Sequence, residues 1–261
     1  MNSEKRASVI CLSGGMDSTS LLLRLLDEGD EVIGISFNYG QKHALELDFL
    51  QKNLSYLAAN QLTFQHHNLD MSVLGEIFHS SLLDKQWEIP KGHYEQENMK
   101  ETVVPNRNAI FASIAYGVAW SVAQQRSGLV RLSLGVHSGD HAIYPDCRPE
   151  FYQALWTAFE AGNWDSDRVE LYLPYLNFDK AEILKDAEGR IERLGLDFDT
   201  VFANTLTSYQ PDSSGRAHGL TGSDVERVLA FDAIGRVDPI EYQQGWDQTL
   251  QQAKALGSQS N

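Results

Sequence analysis

Six residues, Ser13-Gly14-Gly15-Met16-Asp17-Ser18, stand between the apolar run Val9-Ile10-Cys11-Leu12 and a second one carrying Leu21, Leu22, Leu23, Leu25 and Leu26. Their types suit the binding of phosphate. Paired glycines let the backbone turn tightly and aim successive N–H groups into one concavity. Ser18 and Thr19 are placed to cap the helix that follows, whose positive end then faces the same hollow. A helix N-terminus behind a glycine turn is a ready anion site. The loop is not a Walker motif, since no Gly-Lys-Ser/Thr follows. It also lacks the Gly-x-Gly-x-x-Gly of dinucleotide-binding folds.

Other segments carry chemistry that packing alone does not call for. Phe37-Asn38-Tyr39-Gly40-Gln41-Lys42-His43 follows a second apolar run. Val104-Pro105-Asn106-Arg107-Asn108 opens a helix and puts a guanidinium in its first turn. The helix dipole disfavours a cation there, and a bound anion would account for it. Leu134 to Asp140, Tyr144 to Phe151 and Asp179-Lys180-Ala181-Glu182 complete the set. His66 and His67 fall on one expected strand and point to opposite faces, so they read as structural. His79 and His93 read as loop residues.

The elements that must position these residues follow from hydrophobic period. Strands are expected over Ser8–Leu12, Glu31–Phe37, Gln61–His67 and Leu129–Gly135. Helices are expected over Ser18–Leu26, Ala44–Ala58, Arg107–Gln124, Pro149–Ala161, Phe178–Leu194 and Val225–Ala233. Strand alternating with helix is the order of a parallel doubly wound α/β sheet, whose ligands bind beyond the carboxyl ends of the strands. The stretch from His79 to Thr102 reads as a long surface loop. After Asn204 the character changes: Gln210 to Gly219 is rich in turn residues, and Ala253 marks a polar helical tail expected to fray. Residues 1–203 thus read as the main α/β domain and 204–261 as a C-terminal extension.

The bulk composition narrows the partners. The chain has 261 residues and a formal net charge of -15, with a sequence pI near 4.8. Such a chain repels phosphate backbones at long range, so a small molecule or a protein is expected rather than a long nucleic acid. Two cysteines, Cys11 and Cys147, give no disulfide framework and fit a reducing cytoplasm. No apolar run reaches membrane-spanning length, and the first residues are not a signal peptide.

Ser-Gly-Gly-x-Asp-Ser resembles the pyrophosphate loop of the ATP pyrophosphatase superfamily. Its members cut ATP between the α and β phosphates and leave AMP on a substrate oxygen. Taken with Tyr-Gly-Gln-Lys-His (39–43), Val-Pro-x-Arg-Asn (104–108), Gly-Val (135–136), Tyr-Pro-Asp-Cys-Arg (144–148) and Lys-Ala-Glu (180–182), the chain from Ala7 to Tyr242 resembles the 7-cyano-7-deazaguanine synthase family. The resemblance implies a Rossmann-like, adenine nucleotide α-hydrolase-like fold with a small helical C-terminal extension. It implies an ATP-dependent C–N ligase of queuosine biosynthesis. Such an enzyme adenylates the carboxylate of 7-carboxy-7-deazaguanine, forms the amide with ammonia and dehydrates it to the nitrile.

The same resemblance assigns roles. Ser13, Gly14, Gly15, Asp17, Ser18 and Thr19 would bind ATP, with Asp17 near Mg²⁺. Tyr39, Gln41, Lys42 and His43 would line the rim beside the nucleotide. Arg107 would hold a phosphate or the substrate carboxylate. Asp140, Tyr144, Asp146 and Arg148 would form the deazapurine pocket. Lys180 would offset charge as pyrophosphate leaves, making Asp17, Arg107 and Lys180 the catalytic set. A homodimer is also implied.

The chain departs from the family at its four zinc cysteines, whose positions hold Ser208, His218, Thr221 and Asp224. Two hydroxyls, an imidazole and a carboxylate are a weak zinc set, so no zinc is expected. Asn106 and Ile143 stand where the family has Gly, adding bulk near the expected pocket. Two alternatives therefore stay open beside ammonia. The acceptor is a protein or peptide amine, as in relatives linked to antiviral defence, or the chain is a nucleotide-binding subunit without chemistry.

Overall fold

The computed structural model describes residues 5–41, 45–84, 87, 97–137, 139, 144–208, 211–212 and 214–257. Five parallel strands form one sheet in the order β3-β2-β1-β4-β5. They are β1 (Ala7–Cys11), β2 (Glu31–Asn38), β3 (Gln65–Asp70), β4 (Val130–Ser133) and β5 (Val169–Tyr172). The strand order reverses between β1 and β4, where Ala7 pairs with Glu31 on one side and Val130 on the other. The expected doubly wound α/β sheet is the one observed.

Alternation along β1 builds both cores. Val9 faces one layer with Ile33, Ile35 and Leu132, covered by α4 (Arg107–Gln125) and α5 (Pro149–Gly162). In α4, Ala112, Ala115, Ala119 and Ala123 recur at helical spacing and are buried, so the helix approaches the sheet closely. Ile10 and Leu12 face the other layer, covered by α1 (Met16–Asp27), α2 (Leu45–Ala59), α6 (Lys180–Leu194) and α7 (Phe198–Ala203). A one-turn helix, α3 (Leu74–Ile77), follows β3.

Several expectations are corrected. The third strand starts at Gln65 rather than Gln61, because Gln61 takes a left-handed φ of 63° and closes the end of α2. β5 was not legible, being four residues with no flanking signal of its own. Within the expected loop, Ser80, Ser81, Leu82 and Leu83 are buried, and residues 97–102 form a 3₁₀ turn. The C-terminal tail is packed. α8 (Gly222–Ala233) and α9 (Trp246–Gly257) share a small core of Ala217, Val225, Val228, Tyr242 and Ala253.

The capping expectation is also corrected. Gly15 is the N-cap of α1, and among the described residues no side chain caps the helix. Ser18 lies one turn inside, and its hydroxyl folds back to accept the Ser13 N–H at 3.2 Å and donate to the Gly15 carbonyl at 3.3 Å. Thr19 is buried. The consequence favours an anion, because a side-chain cap would have consumed one of the first-turn N–H donors. Asn106 likewise differs from expectation. It is exposed at the N-cap of α4 with φ 56°, so its bulk points to solvent, in a conformation that glycine or asparagine tolerates best.

Candidate active site

A cavity of about 240 Å³ opens at the carboxyl ends of β1, β2 and β4, beside the point where the strand order reverses. Its wall contains Ser13, Gly15, Asp17 and Ser18 from the glycine loop and α1, and Tyr39 and Gln41 from the turn after β2. Arg107 and Asn108 enter from the start of α4, and Lys180 from the start of α6. Gly14 sits behind the wall with φ +90°, where a Cβ would stand 2.4 Å from the Glu46 carbonyl oxygen. A side chain there is excluded twice, by backbone conformation and by contact.

Asp17 joins the loop to a buried cluster of charges. Lys180 Nζ lies 3.5 Å from Asp17 Oδ2, 3.2 Å from His137 Nε2 and 3.1 Å from Glu226 Oε2. His137 accepts the Gly139 N–H on Nδ1, which leaves the proton of a neutral ring on Nε2, 3.5 Å from Asp17 Oδ2. Burial alone would raise the Asp17 carboxyl, but Lys180 and His137 outweigh it and hold the acid well below the usual range. Asp17 Oδ1 is buried and has no hydrogen-bond partner among the described residues.

Part of the wall is aromatic. Phe37 and Phe111 stack with ring centroids 4.1 Å apart, and Tyr39 meets Phe111 edge-on. Arg107 Nη1 reaches the Tyr39 hydroxyl at 3.5 Å. Burial raises the Tyr39 phenol against the opposing charge of Arg107. Gln41 braces its turn, accepting the Tyr39 N–H and donating to the Phe37 carbonyl. This combination of cations, open helix N–H groups and an apolar wall suits a phosphate ester with a flat ring.

Not every expected residue joins the cavity wall. Tyr144 is buried with its hydroxyl 2.6 Å from Thr102 Oγ1. Asp146 lies beside α4, accepting the Asn108 N–H at 3.4 Å. Arg148 is the N-cap of α5. These three and Thr19 stand outside the wall, while Cys147 and Tyr152 from the same stretch line it. Lys42, His43, Asp140, Ile143 and His93 lie outside the described residues. His66 bonds Ser36 at 2.8 Å, and His67 and His79 are exposed.

Comparison with known proteins decides the family. The profile described as "Queuosine biosynthesis protein QueC" matches residues 7–235. The chain belongs to this family. It is 42% identical to the 7-cyano-7-deazaguanine synthase of Methanoregula boonei, over 90% of this chain and 99% of the relative. It is 41% identical to 7-cyano-7-deazaguanine synthase 1 of Colwellia psychrerythraea, over 90% and 98%. The synthase of Caldicellulosiruptor saccharolyticus is 40% identical, over 92% and 98%. The chain is therefore an enzyme of the queuosine-biosynthesis family. Among the described residues, no helix is long and apolar enough to cross a membrane.

Within this QueC-family chain the C-terminal extension reaches the cavity, which the sequence reading missed. Thr207 and Ser223 line it, and the Leu206 N–H bonds the Gly14 carbonyl at 3.1 Å. Ser208, Thr221 and Asp224, three of the four positions read from the resemblance as lost zinc ligands, meet nearby in one hydrogen-bonded cluster. The buried Asp224 carboxylate accepts the Gly219 and Thr221 N–H groups and is hydrogen-bonded by Ser208. Thr221 and Asp224 form the capping box of α8. These donors do not fit zinc, since the carboxylate is already engaged and the hydroxyls are poor ligands. Glu46 and Glu226 were also missed, and His137 was read only as part of the run Leu134 to Asp140; the three come from separate parts of the chain, and only the fold brings them to Asp17 and the loop.

Proposed function

We propose that the chain adenylates the carboxylate of a 7-deazaguanine, releasing pyrophosphate, and that a nitrogen nucleophile then displaces AMP. The convergence of Asp17, Lys180 and Arg107 on an uncapped helix N-terminus carries this reading. In it, the loop N–H groups hold the ATP phosphates and Lys180 takes up charge as pyrophosphate departs. Arg107 draws the substrate carboxylate toward the α-phosphate. Phe37, Phe111 and Tyr152 hold the ring. Ser13, Gly15, Ser18, Tyr39 and Gln41 complete the nucleotide side.

Magnesium fits this arrangement through Asp17, whose Oδ1 is a buried, unpartnered oxygen of the kind a hard cation takes. Bound with ATP, it would supply charge neutralisation at the phosphates. Among the described residues no group of three His, Cys, Asp or Glu forms a cage of its own. The ion would therefore arrive with the nucleotide.

The acceptor is ammonia in this reading; the amide it forms loses water in a second, ATP-driven step, and the product is the nitrile. A protein amine is the second reading. It is favoured by Thr207 and Ser223, which bring the altered C-terminal extension to the cavity wall. We also propose the division into residues 1–203 and 204–261, a cytoplasmic site of action and a homodimer. The test is incubation with ATP, Mg²⁺, 7-carboxy-7-deazaguanine and ammonium, followed by mass spectrometry of the base. Nitrile is the expected product. AMP without nitrile would point to the protein amine, and no AMP at all would refute the adenylation.

A further inference from the structure

Glu46 is a carboxylic acid in the cavity wall that phosphate binding does not require. It stands in the first turn of α2, against the glycine loop: a Cβ at Gly15 would lie 3.5 Å from its Oε1. The Ser13 hydroxyl hydrogen-bonds it, and Arg107 and Tyr39 line the same cavity within reach of its charge. Burial pushes its carboxyl up to about 8, against the opposing pull of Ser13 and Arg107, so the ionised form that can take up a proton grows as pH approaches 8.

Of the other titratable groups in the wall, Asp17, Cys11, Tyr39, Tyr152 and Lys180 are unsuited to taking up a proton as pH approaches 8. Asp17 is held firmly ionised. Burial pushes the Cys11 thiol up to about 12 and raises the Tyr39 and Tyr152 phenols, so all three keep their protons. Lys180 is committed to Asp17 and Glu226. Glu46 adjoins the loop that would hold the adenylate, within a cavity that also admits a small amine.

We infer that Glu46 accepts the proton shed by the attacking nitrogen, a role that rests on the adenylation reading above. Neutral ammonia donates its lone pair to the acyl carbon and the C–N bond forms. The C–O bond to the adenylate breaks, and AMP leaves with that electron pair. The proton lost by nitrogen passes to the Glu46 carboxylate and from there to solvent through the open cavity. A general base in this position contributes roughly 10²–10⁴-fold.

Two readouts separate this step from the one before it. Exchange of labelled pyrophosphate into ATP, dependent on the 7-deazaguanine carboxylate, reads adenylation. Ammonia-dependent amide and nitrile read acyl transfer. Glu46→Gln is expected to keep exchange and lose ammonia-dependent product by about 10²–10⁴-fold. Hydroxylamine, which attacks an acyl adenylate without a base, is expected to restore its turnover. Product at the wild-type rate in Glu46→Gln would overturn the role. Loss of exchange together with product would overturn it as well, making Glu46 part of the phosphate cradle. Absence of exchange in the wild type would remove the adenylation reading and this inference with it, a result visible before any variant is made.

Discussion

Asp17 is where the loop, the cations and the expected magnesium meet, so its charge rather than its shape is at stake. Asp17→Asn preserves volume and removes the anion that Lys180 and His137 hold in place. It is expected to abolish AMP formation while circular dichroism stays that of the wild type. Lys180→Met is expected to lower kcat by about 10²–10³-fold, the usual loss for one donor to developing charge. Undiminished turnover in either variant would remove that residue from the catalytic set. Glu46 gives a pH signature of opposite sign to an ordinary ion-paired acid. It keeps its proton up to about 8 when folded and releases it near 4.5 when unfolded. The native state binds that proton more tightly, so the contribution to stability is complete below 4.5 and lost as pH rises to about 8. The melting temperature of wild type minus that of Glu46→Gln should therefore fall across this range. A flat difference would mean that water reaches the carboxyl.

At the scale of elements, the site depends on how α8 is fastened to the sheet. Arg227 is fully buried and uses all its donors. Two go to the Asp238 carboxylate at 2.6 and 2.9 Å, one each to Thr205 and Thr207, and one to the Phe202 carbonyl. Thr207 lines the cavity, so one guanidinium joins the extension to the site. Arg227→Met leaves Asp238 charged and buried, with Tyr242 as its remaining side-chain donor. The expected loss is about 3–5 kcal/mol in urea unfolding, because an uncompensated buried charge is the expensive outcome. Adding Asp238→Leu should recover part of it. The glycine loop was legible in the sequence because a phosphate nest is local, made of adjacent residues in a fixed order. Arg227 was not, because its partners lie on both sides of α8 and its value appears only after packing. The same holds for Glu226, and for the contact of His137 with Lys180, since both reach it from distant parts of the chain. Tyr144, Asp146 and Arg148 show the converse: a distinctive run of residues, of which Cys147 alone meets the cavity wall.

The whole molecule separates holding from doing. At the amino ends of the strands Arg6, Arg24 and Arg131 converge on Glu28 and Asp30, far from the cavity at the carboxyl ends. The alternating pattern of strands and helices made that polarity readable from the sequence, whereas the fastening of the extension was not. Its attachment now rests on the Asp224 cluster, the Arg227–Asp238 pair, a bridge between Ala217 and Tyr242 and a small apolar core. Each is made by the chain itself. Folding of residues 204–261 should then be independent of zinc. Treatment with a strong zinc chelator, followed by gel filtration, is expected to leave the melting temperature and pyrophosphate exchange unchanged. Metal analysis is expected to find well under one zinc per chain. A structural zinc contributes on the order of 10 kcal/mol to a small domain, so its removal would drop the melting temperature visibly. Such a drop, reversed by adding zinc back, would mean that His218 and Asp224 recruit a metal after all. The hydrogen-bonded cluster would then be the form the segment takes without it.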